Sequence, residues 1–179
     1  MGRIFNLSLK FFYQKVLHSG IKCHIMTQSG SRHERRIKVF LGEYQHTMDS
    51  KGRVVIPSKF RRELQQGCVV TKGQDNCLQI LTKKSWSLLS ERMADLPVTE
   101  KSSRQLRRAI FSGAVDSKLD SAGRIQIPEN LRDYSSIPIN GDVTVTGTGN
   151  TIEIWSSKVW KKIQNEADHE FANINEVKG

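Results

Sequence analysis

The chain repeats itself. Aligned on itself at an offset of 71 residues, Phe40-x-Gly42 recurs as Phe111-x-Gly113 and Asp49-Ser50-Lys51-Gly52-Arg53 recurs as Asp120-Ser121-Ala122-Gly123-Arg124. Ile56-Pro57 recurs as Ile127-Pro128, and Arg61 as Arg132. After a three-residue shift the match resumes, with Leu78-x-Ile80 against Ile152-x-Ile154 and Trp86 against Trp160. A solenoid needs three or more repeats to bury a continuous core. Two copies instead predict a pseudo-two-fold domain in which each half lends strands to the other. The copies span residues 39–90 and 111–179, the second ending in a C-terminal helix, with a linking helix over 91–110.

Each copy carries the same local signals. Gly42 to Met48 reads as a strand and Asp49-Ser50-Lys51-Gly52 as a turn. In it the aspartate can accept backbone N–H groups two residues on and the glycine supplies positive φ. Arg53 to Ile56 is the returning strand, rich in β-branched residues. Pro57 ends it and opens a short helix over Ser58 to Gln66, closed by Gly67. Cys68–Thr71 and Cys77–Leu81 form a hairpin, and Thr82 can cap a helix through Trp86 and Leu89. In the second copy, Asp142–Thr146 and Thr151–Trp155 form the hairpin. Ser156 then caps a helix through Val159, Ile163, Ala167 and Phe171, at 3.6-residue spacing. Between the copies, Thr99 is expected to cap a helix with Leu106, Ala109 and Ile110 on one face. Trp86, Trp155 and Trp160 adjoin apolar strand or helix faces and read as core.

Lys and Arg number 28 against 18 acids, a formal charge of +10. A surplus of this kind favours polyanion partners, but its distribution matters. Residues 1–38 hold eight basic residues and one acid, Glu34, so they carry +7 of it. No apolar run approaches the roughly 20 residues a membrane-spanning helix needs. Cys23, Cys68 and Cys77 are odd in number with no C-x-x-C pair, which opposes a disulfide framework and a zinc finger. Cys68 and Cys77 read as reduced, buried thiols. No metal-site spacing is present around Cys23, His18, His24 and His33, and no cofactor is expected. In Ile4 to Leu17, Lys10 interrupts the apolar run and an Ala-x-Ala site is absent, so the segment does not read as a signal peptide. It reads as a disordered extension or as a start codon set too early, ahead of a basic amphipathic membrane helix or a phosphate-binding arm.

The pattern F-x-G-E-Y…D-S-K-G-R-V-x-I-P, repeated as D-S-A-G-R-I-x-I-P-x-x-L-R, strongly resembles the MraZ family of bacterial transcriptional regulators, related to the AbrB/MazE swapped-hairpin fold. The resemblance covers residues 39–179. Members begin at the residue before Phe-x-Gly, here Val39, which a GTG start codon can encode. It implies an α+β fold of two tandem pseudo-symmetric swapped-hairpin (AbrB-like) β-barrel units with short peripheral helices. It further implies a homo-oligomeric ring in the cytoplasm, associated with the nucleoid. That ring would bind short direct repeats in double-stranded DNA upstream of the division and cell-wall gene cluster and regulate transcription there. The family's first D-x-K-G-R loop is implicated in DNA contact. This sequence departs at Ala122, which replaces the lysine of the first motif, so the two loops need not contribute equally.

The residues support that expectation on their own. A major groove admits a two-stranded ribbon. At a hairpin tip, the Arg53 fork can reach guanine O6/N7 or a phosphate bidentately, and Lys51 offers a point charge. Asp49 and Asp120, unhelpful against DNA, read as turn caps that also orient the arginines. Arg124 is the second-copy counterpart of Arg53. Lys59 and Arg61 on the following helix are candidate phosphate contacts, set against a default of solvated helix charges. The alternative for Arg53 and Arg124 is pairing with the aspartates inside the fold. Arg104, Arg107 and Arg108 read as a solvated or subunit-facing surface.

The chain is not read as an enzyme. It has no H-E-x-x-H, no Ser-His-Asp order and no phosphate-cradling glycine loop, and His46 near Asp49 is a lone histidine on a strand. An AbrB-type antitoxin that binds DNA and a toxin partner is the competing reading. Such proteins usually carry one motif copy, whereas this chain carries two and lacks a long acidic tail. A purely structural oligomer is the remaining rival.

Overall fold

The computed structural model describes residues 39–173. The expectations for residues 1–38, Cys23 among them, lie outside that range. Among the described residues, eight strands and five helices follow in chain order. The first copy gives β1 (Phe40–Thr47), β2 (Arg53–Val55), α1 (Ser58–Arg61, continued by a 3-10 turn over Arg62–Leu64), β3 (Cys68–Lys72), β4 (Leu78–Thr82) and α2 (Lys83–Ala94). Helix α3 (Lys101–Ser112) links to the second copy, which gives β5 (Val115–Ser117), β6 (Arg124–Gln126), α4 (Glu129–Tyr134), β7 (Asp142–Gly149), β8 (Ile152–Ser156) and α5 (Ser157–Ala172).

The halves exchange strands, as the duplication predicts. The large sheet runs β1-β7-β8-β4-β3-β5, all antiparallel, and β2 pairs with β6 in a separate two-stranded ribbon. Swapping the copies maps the pairings onto themselves. Arg53↔Gln126 becomes Val55↔Arg124, and Leu78↔Ile154 becomes Ile80↔Ile152. A pseudo-two-fold axis therefore passes through the Val54/Ile125 and Gln79/Glu153 pairs. Val54, Ile56, Ile125 and Ile127 have no exposed surface, and they join Phe60, Leu64, Leu131, Ile80 and Ile154 in one core. Alternation on the short strands puts these aliphatic side chains inward and leaves Arg53 and Val55 on one strand, and Arg124 and Gln126 on the other, on the outer face.

Three expectations need correction. The large sheet is open, with β1 and β5 at its edges, and does not close into barrels. Second, the linking helix expected over 91–110 runs on through Ser112, and the second copy's counterpart of the strand read over Gly42 to Met48 is cut to the three residues of β5, against eight in β1. Phe40 is buried in the core at 3% exposure, whereas Phe111 is 39% exposed and packs edge-on against Trp86. Third, Glu100 rather than Thr99 occupies the N-cap position of α3, and neither it nor Ser156 at the start of α5 makes a side-chain cap bond. Thr82 does cap α2, accepting the Ser85 N–H at 3.1 Å. Cys68 and Cys77 are free and buried. Burial, only partly offset by Lys83, raises the Cys68 thiol to about 11, and burial raises Cys77 further.

Candidate nucleic-acid interface

The two D-S-x-G-R turns are built alike and lie side by side. In the first, the Asp49 carboxylate accepts the N–H of Lys51 at 2.9 Å, the N–H of Arg53 at 2.9 Å and the Nε–H of Arg53 at 2.8 Å. In the second, Asp120 accepts the N–H of Ala122 at 3.0 Å, the N–H of Arg124 at 2.9 Å and the Nε–H of Arg124 at 2.9 Å. Each aspartate thus caps its turn and orients its own arginine. Backbone bonds then tie each turn to the other copy: Ile56 donates to the Gly123 carbonyl at 2.9 Å, and Ile127 to that of Gly52 at 2.8 Å.

Gly52 has φ +72° and Gly123 φ +75°, a region open to glycine at no steric cost. Both also sit under an arginine of the opposite copy. A side chain at Gly123 would overlap the Arg61 guanidinium, and one at Gly52 would press on Arg132 and Gln126.

The electrostatics are shared across the axis. Arg53 pairs with Asp49 at 2.7 Å and reaches Asp120 at 3.5 Å, while Arg124 pairs with Asp120 at 2.9 Å and reaches Asp49 at 3.6 Å. All four side chains remain a quarter to a third exposed. Burial pushes the Asp49 carboxyl up, but hydrogen bonds from Arg53 and Lys51 outweigh it and hold Asp49 below the ordinary carboxylate range. At Asp120 the backbone N–H of Arg124 leads, and the net direction is the same. Both carboxylates are therefore ionised at neutral pH, and the four charges cancel.

What remains unbalanced is on the first copy. Lys51 is exposed at its turn, where the second copy has Ala122. Lys59 and Arg62 are exposed on and beside α1, where α4 carries Asn130 and Asp133. From Asp49 to Leu64, Lys51, Arg53, Lys59, Arg61 and Arg62 stand against Asp49 and Glu63, a net +3. From Asp120 to Ser135, Arg124 and Arg132 stand against Asp120, Glu129 and Asp133, a net −1.

The five sequence-predicted site residues fall into two groups. Lys51 and Lys59 are exposed. Arg53, Arg124 and Arg61 are half-buried with internal partners, Arg61 donating its Nε–H to the Ile56 carbonyl at 2.8 Å. Sequence reasoning missed Gln126. It lies on β6 opposite Arg53 and donates to the Lys51 carbonyl at 2.8 Å. Its counterpart in the first copy is Val55, so a search for shared residues passes over it. Among the described residues no cluster of metal-ligating side chains is present.

Comparison with known proteins agrees with this duplicated architecture. Residues 39–109 and 110–178 each match the family described as "MraZ protein, putative antitoxin-like". The curated "Transcriptional regulator MraZ" of Natranaerobius thermophilus is 42% identical over 138 residues, covering 77% of this chain and 95% of that protein. Family and relative point to a regulator of transcription and to a non-enzymatic role. The chain belongs to the MraZ family, which it matches twice in tandem.

Proposed function

We propose that this protein is a sequence-specific DNA-binding regulator of transcription whose first-copy loop makes the principal contact with the duplex. The observation that carries this reading is the charge imbalance between two otherwise equivalent turns. Lys51, Lys59 and Arg62 are all exposed, and the corresponding places in the second copy hold Ala122, Asn130 and Asp133. Lys51 supplies a point charge for phosphate. Arg53 is held beside it by Asp49, and its fork reaches a base or phosphate only in competition with that carboxylate. Arg61 and Arg124 serve the tips from within the fold, Arg61 lying against Gly123.

One subunit presents few cations. Phosphate contact steepens the salt dependence by about 0.9 per contact, so three contacts alone give weak, largely nonspecific binding. A homo-oligomeric ring repeats the loop and converts later contacts into intramolecular ones, which raises avidity by about 10²–10⁴ where the geometry permits. Leu41, Val98 and Phe171 are well exposed and available to subunit contacts. The DNA partner in this reading is a set of short direct repeats in the promoter of the division and cell-wall gene cluster, placing the protein at the nucleoid.

Footprinting on the DNA upstream of the protein's own gene tests this. Protection at regularly spaced direct repeats, weakening with salt, is expected. Uniform cleavage down to low salt would overturn the proposal.

A further inference from the structure

The first-copy loop is held by more than its own Asp49 cap. Its backbone is fastened from the second copy at two points. Ile127 donates its N–H to the Gly52 carbonyl, a bond mirrored by Ile56 and Gly123. Gln126 donates its side-chain amide to the Lys51 carbonyl at 2.8 Å and lies 3.4 Å from that of Gly52. The Gln126 bond has no mirror, because Val55 occupies the equivalent place and cannot reach back to Ala122 with a hydrogen bond. So the turn that carries the exposed lysine has an extra tether, and the turn that lacks the lysine does not. Gln126 is itself exposed and packs nothing into the core.

We infer that Gln126 is a positioning residue: the second copy fixes the backbone at Lys51 so that its ammonium is presented to the duplex at a constant place. This rests on the proposal that the first-copy loop contacts DNA. Pre-ordering a contact loop removes part of the entropy cost of ordering it on binding. Its energetic scale is that of one hydrogen bond, which corresponds to an affinity change of about three- to tenfold.

The test is a double-mutant cycle on the full-length protein with DNA from upstream of its own gene. Gln126→Met keeps the side-chain length and removes the donor. It is expected to weaken binding about three- to tenfold and to speed hydrogen exchange at the Lys51 and Gly52 amides, with the melting temperature lowered by at most a few degrees. In a Lys51→Ala background the same substitution is expected to have almost no further effect on affinity. A merely structural role, or a direct contact between Gln126 and DNA, predicts instead that the two losses multiply. If Lys51→Ala weakens binding and Gln126→Met does not, or if the losses multiply, the inference about Gln126 falls alone. If Lys51→Ala binds like the unaltered protein, the loop reading falls and takes this inference with it.

Discussion

The two copies share an interior and differ in what they show to solvent. Inside, Val54 faces Ile125 across the axis, Ile56 corresponds to Ile127 and Phe60 to Leu131, and all are buried. Outside, Lys51, Lys59 and Arg62 correspond to Ala122, Asn130 and Asp133. Close packing explains the first half of this contrast, since even one methylene of change in a core is felt. Exposed positions carry no such constraint, and most substitutions there shift stability by less than about 0.5 kcal/mol. A duplicated fold can therefore keep two equal halves in its core while only one of them acquires a binding surface. The second half is then free to act as scaffold.

Core substitutions should affect the halves alike, and this is the largest expected effect. Ile56→Ala and Ile127→Ala each remove a fully buried side chain at equivalent places. Each should cost about 2–5 kcal/mol, read from urea unfolding midpoints. A difference between them comparable to the effect itself would break the claim of equal halves. Surface changes should affect the halves unequally. Lys51→Ala should weaken DNA binding several-fold and reduce its salt slope by about one contact. Anisotropy titrations at several salt concentrations check this.

The paired turns also respond to pH in a defined direction. Hydrogen bonds and arginines hold Asp49 and Asp120 below their ordinary values. The stability they contribute is complete above about pH 4, where an unfolded aspartate titrates, and is lost as pH falls through the lower folded values. Denaturation midpoints should therefore drop on acidification below that range. Asp49→Asn should remove part of the drop, and Asp120→Asn a similar part. A decline of unchanged size in both variants would show that the turns are not its source. The smallest expected effect concerns the first-copy thiols. Cys68, raised to about 11, and Cys77, raised further, should label slowly in the native protein and rapidly on unfolding. Fast native labelling of either would contradict their burial.

Much of this was legible in the sequence where the physics is local. An aspartate that caps its own turn, a glycine at positive φ and Thr82 at the start of α2 depend on neighbours a few residues away. The duplication made the exchange of strands readable as well. Partners further off were not legible. The repeat put the end of the linking helix at residue 110, but the helix begun at Lys101 carries through Ser112, and β5 has three residues where β1 has eight. The alternative of arginines paired inside the fold was visible from the spacing. The reach of each arginine to both aspartates was not, because it depends on β2 meeting β6. Gln126 gave no signal, being a polar residue on a strand with an aliphatic counterpart.

The central claim is that one copy meets DNA and the other supports it. The most direct measurement compares two double variants of equal charge change. Lys51→Gln with Lys59→Gln lowers the charge of the first copy by the same amount as Ala122→Glu with Asn130→Glu lowers that of the second. Salt-dependent titration of each against the upstream DNA separates local contact from overall charge. A lower affinity and a salt slope shallower by about two contacts are expected for the first pair, and an unchanged slope for the second. Equal losses of affinity and slope in both pairs would contradict the claim.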